Sequence, residues 1–178
     1  SDSYEGERRD KLLYMYGTDE GCLGLRALVA PASGKIHYHN AYSGGYIDHV
    51  MNVCRSCQGM ALLFSKMGGK VDFTEEELMF AALNHDLGKL GDLEGDYYLP
   101  EESDWHRKNQ GSTFKINPDI QNMTVPDRAI FLLQHFGIPI TQKEYLGIKL
   151  ADGMYDEASA HYLKSYRLGG ELKTLLPK

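Results

Sequence analysis

The sequence is poor in cysteine, has a single tryptophan, and lacks any long run of apolar residues or of one charge. A membrane-spanning helix needs roughly 18 or more consecutive apolar residues, and no stretch approaches that. The cysteines are Cys22, Cys54 and Cys57. An odd count without a recognisable secretion signal is the pattern of a reducing compartment, so a cytoplasmic location is expected. The formal net charge is −6 and no long basic run occurs. That argues against sequence-independent duplex binding, which draws its affinity from many phosphate contacts. A single nucleotide is not excluded, because a metal and one or two cations suffice to hold it. The chain opens Ser1-Asp2-Ser3 without a Met, read here as a cloning scar. It stops within the apolar Leu175-Leu176-Pro177-Lys178, so the native protein is expected to continue. The length of 178 residues predicts one domain over 1–178, at roughly 100–200 residues per domain. No internal repeat or low-complexity segment is present.

What the chain does have is helical punctuation. A charged then apolar stretch predicts a helix over 4–16, ended by Gly17, and a second over 22–30 carries Leu23, Leu25, Leu28 and Val29. Pro31-Ala32-Ser33-Gly34 is a turn. A long amphipathic helix is expected over 46–67, with Val50, Val53, Met60, Leu62, Leu63 and Phe64 as its apolar positions and Gly68-Gly69 as its stop. Thr74 with Glu77 forms a capping-box pattern, a hydroxyl at the N-cap and a carboxylate three residues on. That helix should run into His85-Asp86 and end at Gly88 or Gly91. Residues 92–123 read as irregular, with 97–99 and 112–116 as short paired strands and a long loop between them. Val125-Pro126-Asp127 opens another helix that stops at Gly137. Thr141 with Glu144 is a second capping box, heading a helix over 142–152 that could continue past Gly153 toward Ala160, with a last short helix at 158–166. The expected fold class is all-α with a short irregular or β-hairpin insert.

The chemistry concentrates in Ala82-Leu83-Asn84-His85-Asp86-Leu87-Gly88-Lys89-Leu90-Gly91-Asp92. Burying a charge is costly unless it is paired or coordinates a metal. His85 and Asp86 offer an N donor beside an O donor. Lys89 stands i+4 from His85 and i+3 from Asp86, which on a helix projects it from the same face. A metal with a nearby ammonium suits a phosphate or another anion. His49, in the first turn of the preceding long helix, could meet His85 and Asp86 if the two helices run antiparallel. Two imidazoles and a carboxylate make a common catalytic ligand set with room for water.

This order of residues, with Gly-Gly-Tyr-Ile-Asp-His ending at His49 and Asn-His-Asp-Leu-Gly-Lys spanning His85, Asp86 and Lys89, resembles the HD-domain superfamily of metal-dependent phosphohydrolases. It is similar to small phage and bacterial HD proteins and to the HD part of bacterial 3′–5′ exoribonucleases. The resemblance runs from about residue 35 to the end and implies a compact HD-type helical domain. It implies that His49, His85 and Asp86 are metal ligands and that Lys89 faces phosphate. The superfamily also uses a later Asp, for which Asp152 is the match within this chain, and a residue beyond Lys178 is the other possibility. Ala151 stands where close relatives carry a histidine, which points to a lost second metal position or an engineered change.

Other groups are candidates around that site. His106, with Trp105, Arg107 and Lys108, offers a ring for stacking and cations for phosphate. His37, His39, Asn40 and Tyr42 precede the helix of His49 and could line a pocket mouth. His135 and His161 read as structural. Cys54 and Cys57 form a lone C-x-x-C on a helix, without the βαβ context of a redox motif, and read as packing. Tyr14, Tyr16, Tyr162 and Tyr166 read the same way.

The function expected is hydrolysis of a nucleotide or other phosphoester through a metal-activated water, with one or two Mn, Fe, Co, Ni or Mg ions. Lys89, with Arg107 or Lys108, would offset phosphate charge, and Asp92 or His106 would move protons. The expected partner is a small phosphorylated substrate rather than a duplex or a membrane. Two alternatives are a di-iron HD-type oxygenase, with His106 and Asp152 as further ligands, and a non-catalytic nucleotide-binding domain.

Overall fold

N-caps set most of the helix starts. The structure, a computed structural model, describes residues 2–164, of which 2–4 by their backbone. In chain order the helices are α1 (Asp2–Met15), α2 (Gly24–Val29), α3 (Gly45–Lys66), α4 (Glu75–Asn84), α5 (Asp104–Gln110), α6 (Val125–His135), α7 (Gln142–Lys149) and α8 (Glu157–Lys164). Strands β1 (Tyr98–Pro100) and β2 (Phe114–Ile116) pair antiparallel, Tyr98 opposite Ile116 and Pro100 opposite Phe114. The fold is mostly helical with a small hairpin insert, as the sequence predicts. Among the described residues no helix is long and apolar enough to cross a membrane. Tyr166, the end of the helix predicted over 158–166, and the stretch 175–178 lie outside the described residues.

The chain divides into two compact units. The first contains Ser1–His49 and Gly88–Pro139. Met15, Leu23, Ala32, Leu90, Leu132 and Leu133 are buried in it. Two arginines, which the sequence reading did not single out, organise its loop 88–97. Arg128 is 2% exposed. It donates to the carbonyls of Gly88 (3.3 Å) and Gln121 (2.9 Å), and its guanidinium lies 5.1 Å over the ring of Tyr97. Arg26 donates to the carbonyls of Leu90, Asp92 and Gly95 and pairs with Asp96 at 3.2 Å. Carbonyls taken out of water need donors, and a guanidinium fork supplies several at once.

The segment read as a long loop between the strands contains α5. Ser103 caps it, accepting from the His106 N–H at 3.3 Å, and Gly111 ends it in the left-handed region at φ 60°. Nothing in α5 is buried, so it has no apolar stripe and no periodicity to read.

The second unit contains Val50–Leu87 and the chain from Ile140 on. α4 packs against α7 around Leu78, Ala81, Ala82 and Ile148, all buried. Both capping boxes form as the sequence predicts, Thr74 with Glu77 and Thr141 with Glu144. The Thr141 hydroxyl also donates to Oε1 of Glu77 at 3.0 Å, joining the two helix starts. α7 stops at Lys149 rather than continuing past Gly153. That glycine sits at φ 59°, a left-handed conformation that breaks the helical path, and a 3-10 turn over Gly153–Tyr155 follows.

The apolar positions of α3 are not one core face. Val50 and Cys57 are buried, but Met60, Leu62, Leu63 and Phe64 are exposed, Leu62 and Leu63 by 58% and 59%. Three consecutive helical residues sweep about 200° of the helix surface, so Leu62, Leu63 and Phe64 cannot share one side.

Candidate metal centre

The loop before α3 is built to deliver a pair of imidazoles. The Ala32 N–H donates to the Asn40 carbonyl at 3.0 Å, and the Ser33 hydroxyl donates to the His39 carbonyl at 2.7 Å. Asn40 adopts φ 51°, a left-handed value that Asn tolerates better than most residues. Gly45 passes so close to the Asn40 carbonyl that any Cβ there would collide with it. These constraints bring the ring of His39 onto that of His49, with centroids 4.2 Å apart and planes 26° from parallel. His49, in the first turn of α3, is buried. The two rings hold potential ligand nitrogens within 4.8 Å of one another. Asn40 and Tyr42 sit beside this pair in a relay of their own. The Asn40 amide donates to the Tyr42 hydroxyl at 2.8 Å, which donates to Asp48 at 2.8 Å. That bond to Asp48 pushes the Tyr42 hydroxyl pKa up.

His85 and Asp86 follow immediately after α4, in a turn rather than in its last helical turn. His85 Nδ1 lies 2.7 Å from the Ala82 carbonyl oxygen. A carbonyl only accepts, so that nitrogen carries a proton, and in the neutral imidazole Nε2 is the one with the lone pair. Nε2 is 3.5 Å from Oδ2 of Asp86. Two ligand atoms each about 2.1 Å from one ion lie roughly 3–3.5 Å apart, so this pair has the spacing of neighbouring ligands. His85 and Asp86 are 3% and 2% exposed.

Among the described residues, one group of three metal-ligating side chains could hold an ion: His39, His49 and Asp86. The sequence assigns His49, His85, Asp86 and Asp152 to the metal and His39 only to a pocket mouth; the group includes His39 and does not include His85 or Asp152. The available signal was the His-Tyr-His of residues 37–39 just ahead of the helix of His49.

The remaining predicted residues are distributed as follows. Lys89 lies in a 3-10 turn over Leu87–Leu90, and its Nζ donates to the Ala32 carbonyl at 2.7 Å. Continuous helical spacing does not connect His85 to Lys89, because α4 ends at Asn84 and a 3-10 turn follows. Asp92 accepts from the backbone N–H groups of Glu94 (2.8 Å) and Gly95 (3.1 Å). Burial pushes its pKa up, but those N–H groups, that of Gln121 and the charge of Arg128 outweigh it and carry the pKa below the usual carboxylate value. Asp92 thus serves its own turn and is a poor proton carrier near neutrality. His106 is exposed on α5, edge-on to Trp105 at 5.1 Å. Arg107 pairs with Asp104 at 2.7 Å, and Lys108 is exposed. Asp152 is half-buried in the second unit, just ahead of the 3-10 turn, with Ala151 buried beside it.

His37 is exposed. His135 contacts the rings of Phe131 and Phe136, and His161 that of Tyr162. Cys54 and Cys57 are free thiols, and burial pushes the Cys57 pKa up to about 11, consistent with packing rather than reactivity.

The chain matches no protein-family model, no curated protein and no solved structure.

Proposed function

We propose that this chain is an HD-type metal-dependent phosphohydrolase that cleaves a nucleotide or another phosphoester. The observation that carries the reading is the stacked His39–His49 pair, which with Asp86 makes the metal-type group. His39, His49 and Asp86 would hold a divalent ion, with His85 beside Asp86 as a further imidazole and Asp152 as the later carboxylate. Mixed N and O donors suit Mn, Fe, Co, Ni or Mg. When bound, such an ion supplies Lewis acidity for activating water and polarising a phosphoryl oxygen.

The protein's own residues do the rest. The Ala82 carbonyl fixes the tautomer and orientation of His85. Lys89, its ammonium steadied by the Ala32 carbonyl, presents positive charge to a phosphate and offsets charge that develops as the ester breaks.

The test is elemental analysis of the purified chain and of His49→Ala after incubation with Mn, followed by a phosphoester hydrolysis screen. We expect metal in the parent protein, its loss in the variant, and metal-dependent release of phosphate. Undiminished hydrolysis by metal-free Asp86→Ala would overturn the mechanism. Dioxygen consumption by the iron-loaded protein without phosphate release would favour a di-iron oxygenase instead. Nucleotide binding without turnover would favour a binding domain.

A further inference from the structure

The first unit contains a partly open cavity of about 350 Å³ that the metal-type group does not use. Its walls are mainly aromatic and apolar. Tyr97, Tyr98 and Phe114 line it, with Pro31 and Pro100. The rings are set at angles to one another, Tyr97 to Tyr98 at 4.7 Å and 68°, Tyr98 to Phe114 at 6.5 Å and 62°. Strand pairing fixes this arrangement, since β1 and β2 place Pro100 opposite Phe114.

Three charged groups also reach the wall: Arg26, Asp96 and Lys89. Arg26 is anchored by loop carbonyls and holds Asp96 at 3.2 Å, so donor and acceptor stand side by side in a fixed geometry. Side-chain exposure of Asp96 is 53%, which leaves the carboxylate reachable by a ligand. Lys89 is the residue common to this cavity and to the His85-Asp86-Lys89 segment.

We infer that this cavity receives the planar heterocyclic base of the substrate, so that the molecule cleaved is a nucleotide rather than a sugar phosphate or an aliphatic phosphoester. The inference rests on the phosphohydrolase reading for the position of the phosphate at Lys89. Flat rings of every base type gain by stacking on aromatic side chains. An adjacent donor and acceptor match the hydrogen-bonding edge of a nucleobase. The volume falls at the small end of ligand sites, roughly 300–1,000 Å³, which suits one base with its sugar outside.

The experiment separates the cavity from the chemistry. Binding of the four common ribonucleosides, which carry no phosphate, is followed by ligand-observed NMR on the metal-free protein, on Phe114→Leu and on Asp96→Ala. Circular dichroism confirms that each variant is folded. We expect at least one nucleoside to bind, Phe114→Leu to weaken it about tenfold, and Asp96→Ala to change which base is preferred. On the metal-loaded protein, kcat/KM for the matching nucleoside monophosphate should exceed that for ribose 5-phosphate by at least a hundredfold, with the loss in Phe114→Leu falling on KM. No nucleoside binding, or binding unaffected by both substitutions, overturns the inference. Equal hydrolysis of nucleotide and ribose 5-phosphate overturns it too, while leaving the phosphohydrolase reading intact. Nucleoside binding that responds to both variants in a protein that hydrolyses nothing supports the base pocket and defeats the phosphohydrolase reading.

Discussion

His85 directs Nδ1 at the backbone carbonyl of Ala82, 2.7 Å away, and so leaves Nε2 as the nitrogen facing Asp86. A histidine held this way is oriented before any ligand arrives. His85→Ala and Asp86→Ala should each abolish retention of Mn through gel filtration, measured by elemental analysis, with helix content unchanged. Retention by either variant at the parental level would remove that residue from the ligand set.

His39 offers a test that distinguishes ligation from stacking. His39→Phe preserves a flat ring against His49 but removes both nitrogens. If His39 serves the metal, Mn affinity should fall about 10–100-fold, the range seen when a supporting partner of a metal site is lost. If it only stacks, titration with Mn will be indistinguishable from the parent protein.

Thr141 belongs to two interactions at once, accepting from the Glu144 N–H at 3.2 Å and donating to Glu77 at 3.0 Å. Thr141→Ala should cost about 1–2 kcal/mol, typical of a lost N-cap. A double-mutant cycle with Glu77→Ala, read by urea denaturation, should show non-additivity of about 0.5 kcal/mol or more. Strict additivity would mean that the bond between the two caps carries no energy.

The pKa of Asp92 lies below the usual carboxylate value. A carboxyl depressed in the folded state stabilises the fold above its unfolded pKa, about 3.9. That contribution is lost as pH falls through the folded value. Asp92→Asn keeps an oxygen for the Glu94 and Gly95 N–H groups but removes the charge near Arg128. Its urea midpoint should therefore fall less steeply than the parent's between pH 4 and pH 3 (on the order of one pH unit around the carboxylate range).

Cys57 gives the opposite sign. Burial raises its thiol to about 11. The folded state keeps the proton while the unfolded chain loses it from about pH 8.5 upward. Stability from this group is intact below that value and is lost as pH rises toward the folded pKa. In the native protein at pH 8, Cys57 should resist a thiol reagent until the chain is unfolded. Rapid labelling of Cys57 in the folded chain would contradict its burial.

The helix starts were readable because capping is local chemistry. Thr74 with Glu77, and Thr141 with Glu144, announce themselves within four residues, and both boxes form. α5 escaped notice because none of its residues is buried, so it carries no apolar stripe. The path to Lys89 was drawn as one continuous helix, whereas α4 ends at Asn84 and the chain tightens into a 3-10 turn over Leu87–Leu90. His39 could not be assigned from its sequence neighbours, since its ring reaches His49 only through a loop closed by the Ala32–Asn40 and Ser33–His39 hydrogen bonds. Arg26 and Arg128 had no signal at all. A buried arginine looks like a surface one until the carbonyls it serves are known.

Gly88 lies two residues after Asp86, where its α-carbon passes the backbone of Val125 so closely that any Cβ would overlap the Val125 carbonyl. In a library sampling every amino acid at every position, this site should therefore tolerate nothing but glycine, as sharply as a residue that touches substrate. Intolerance in the stretch from His85 to Lys89 thus has two separate origins, reactive groups and sheer lack of room. Only a readout that weighs folded protein separately from turnover would tell them apart.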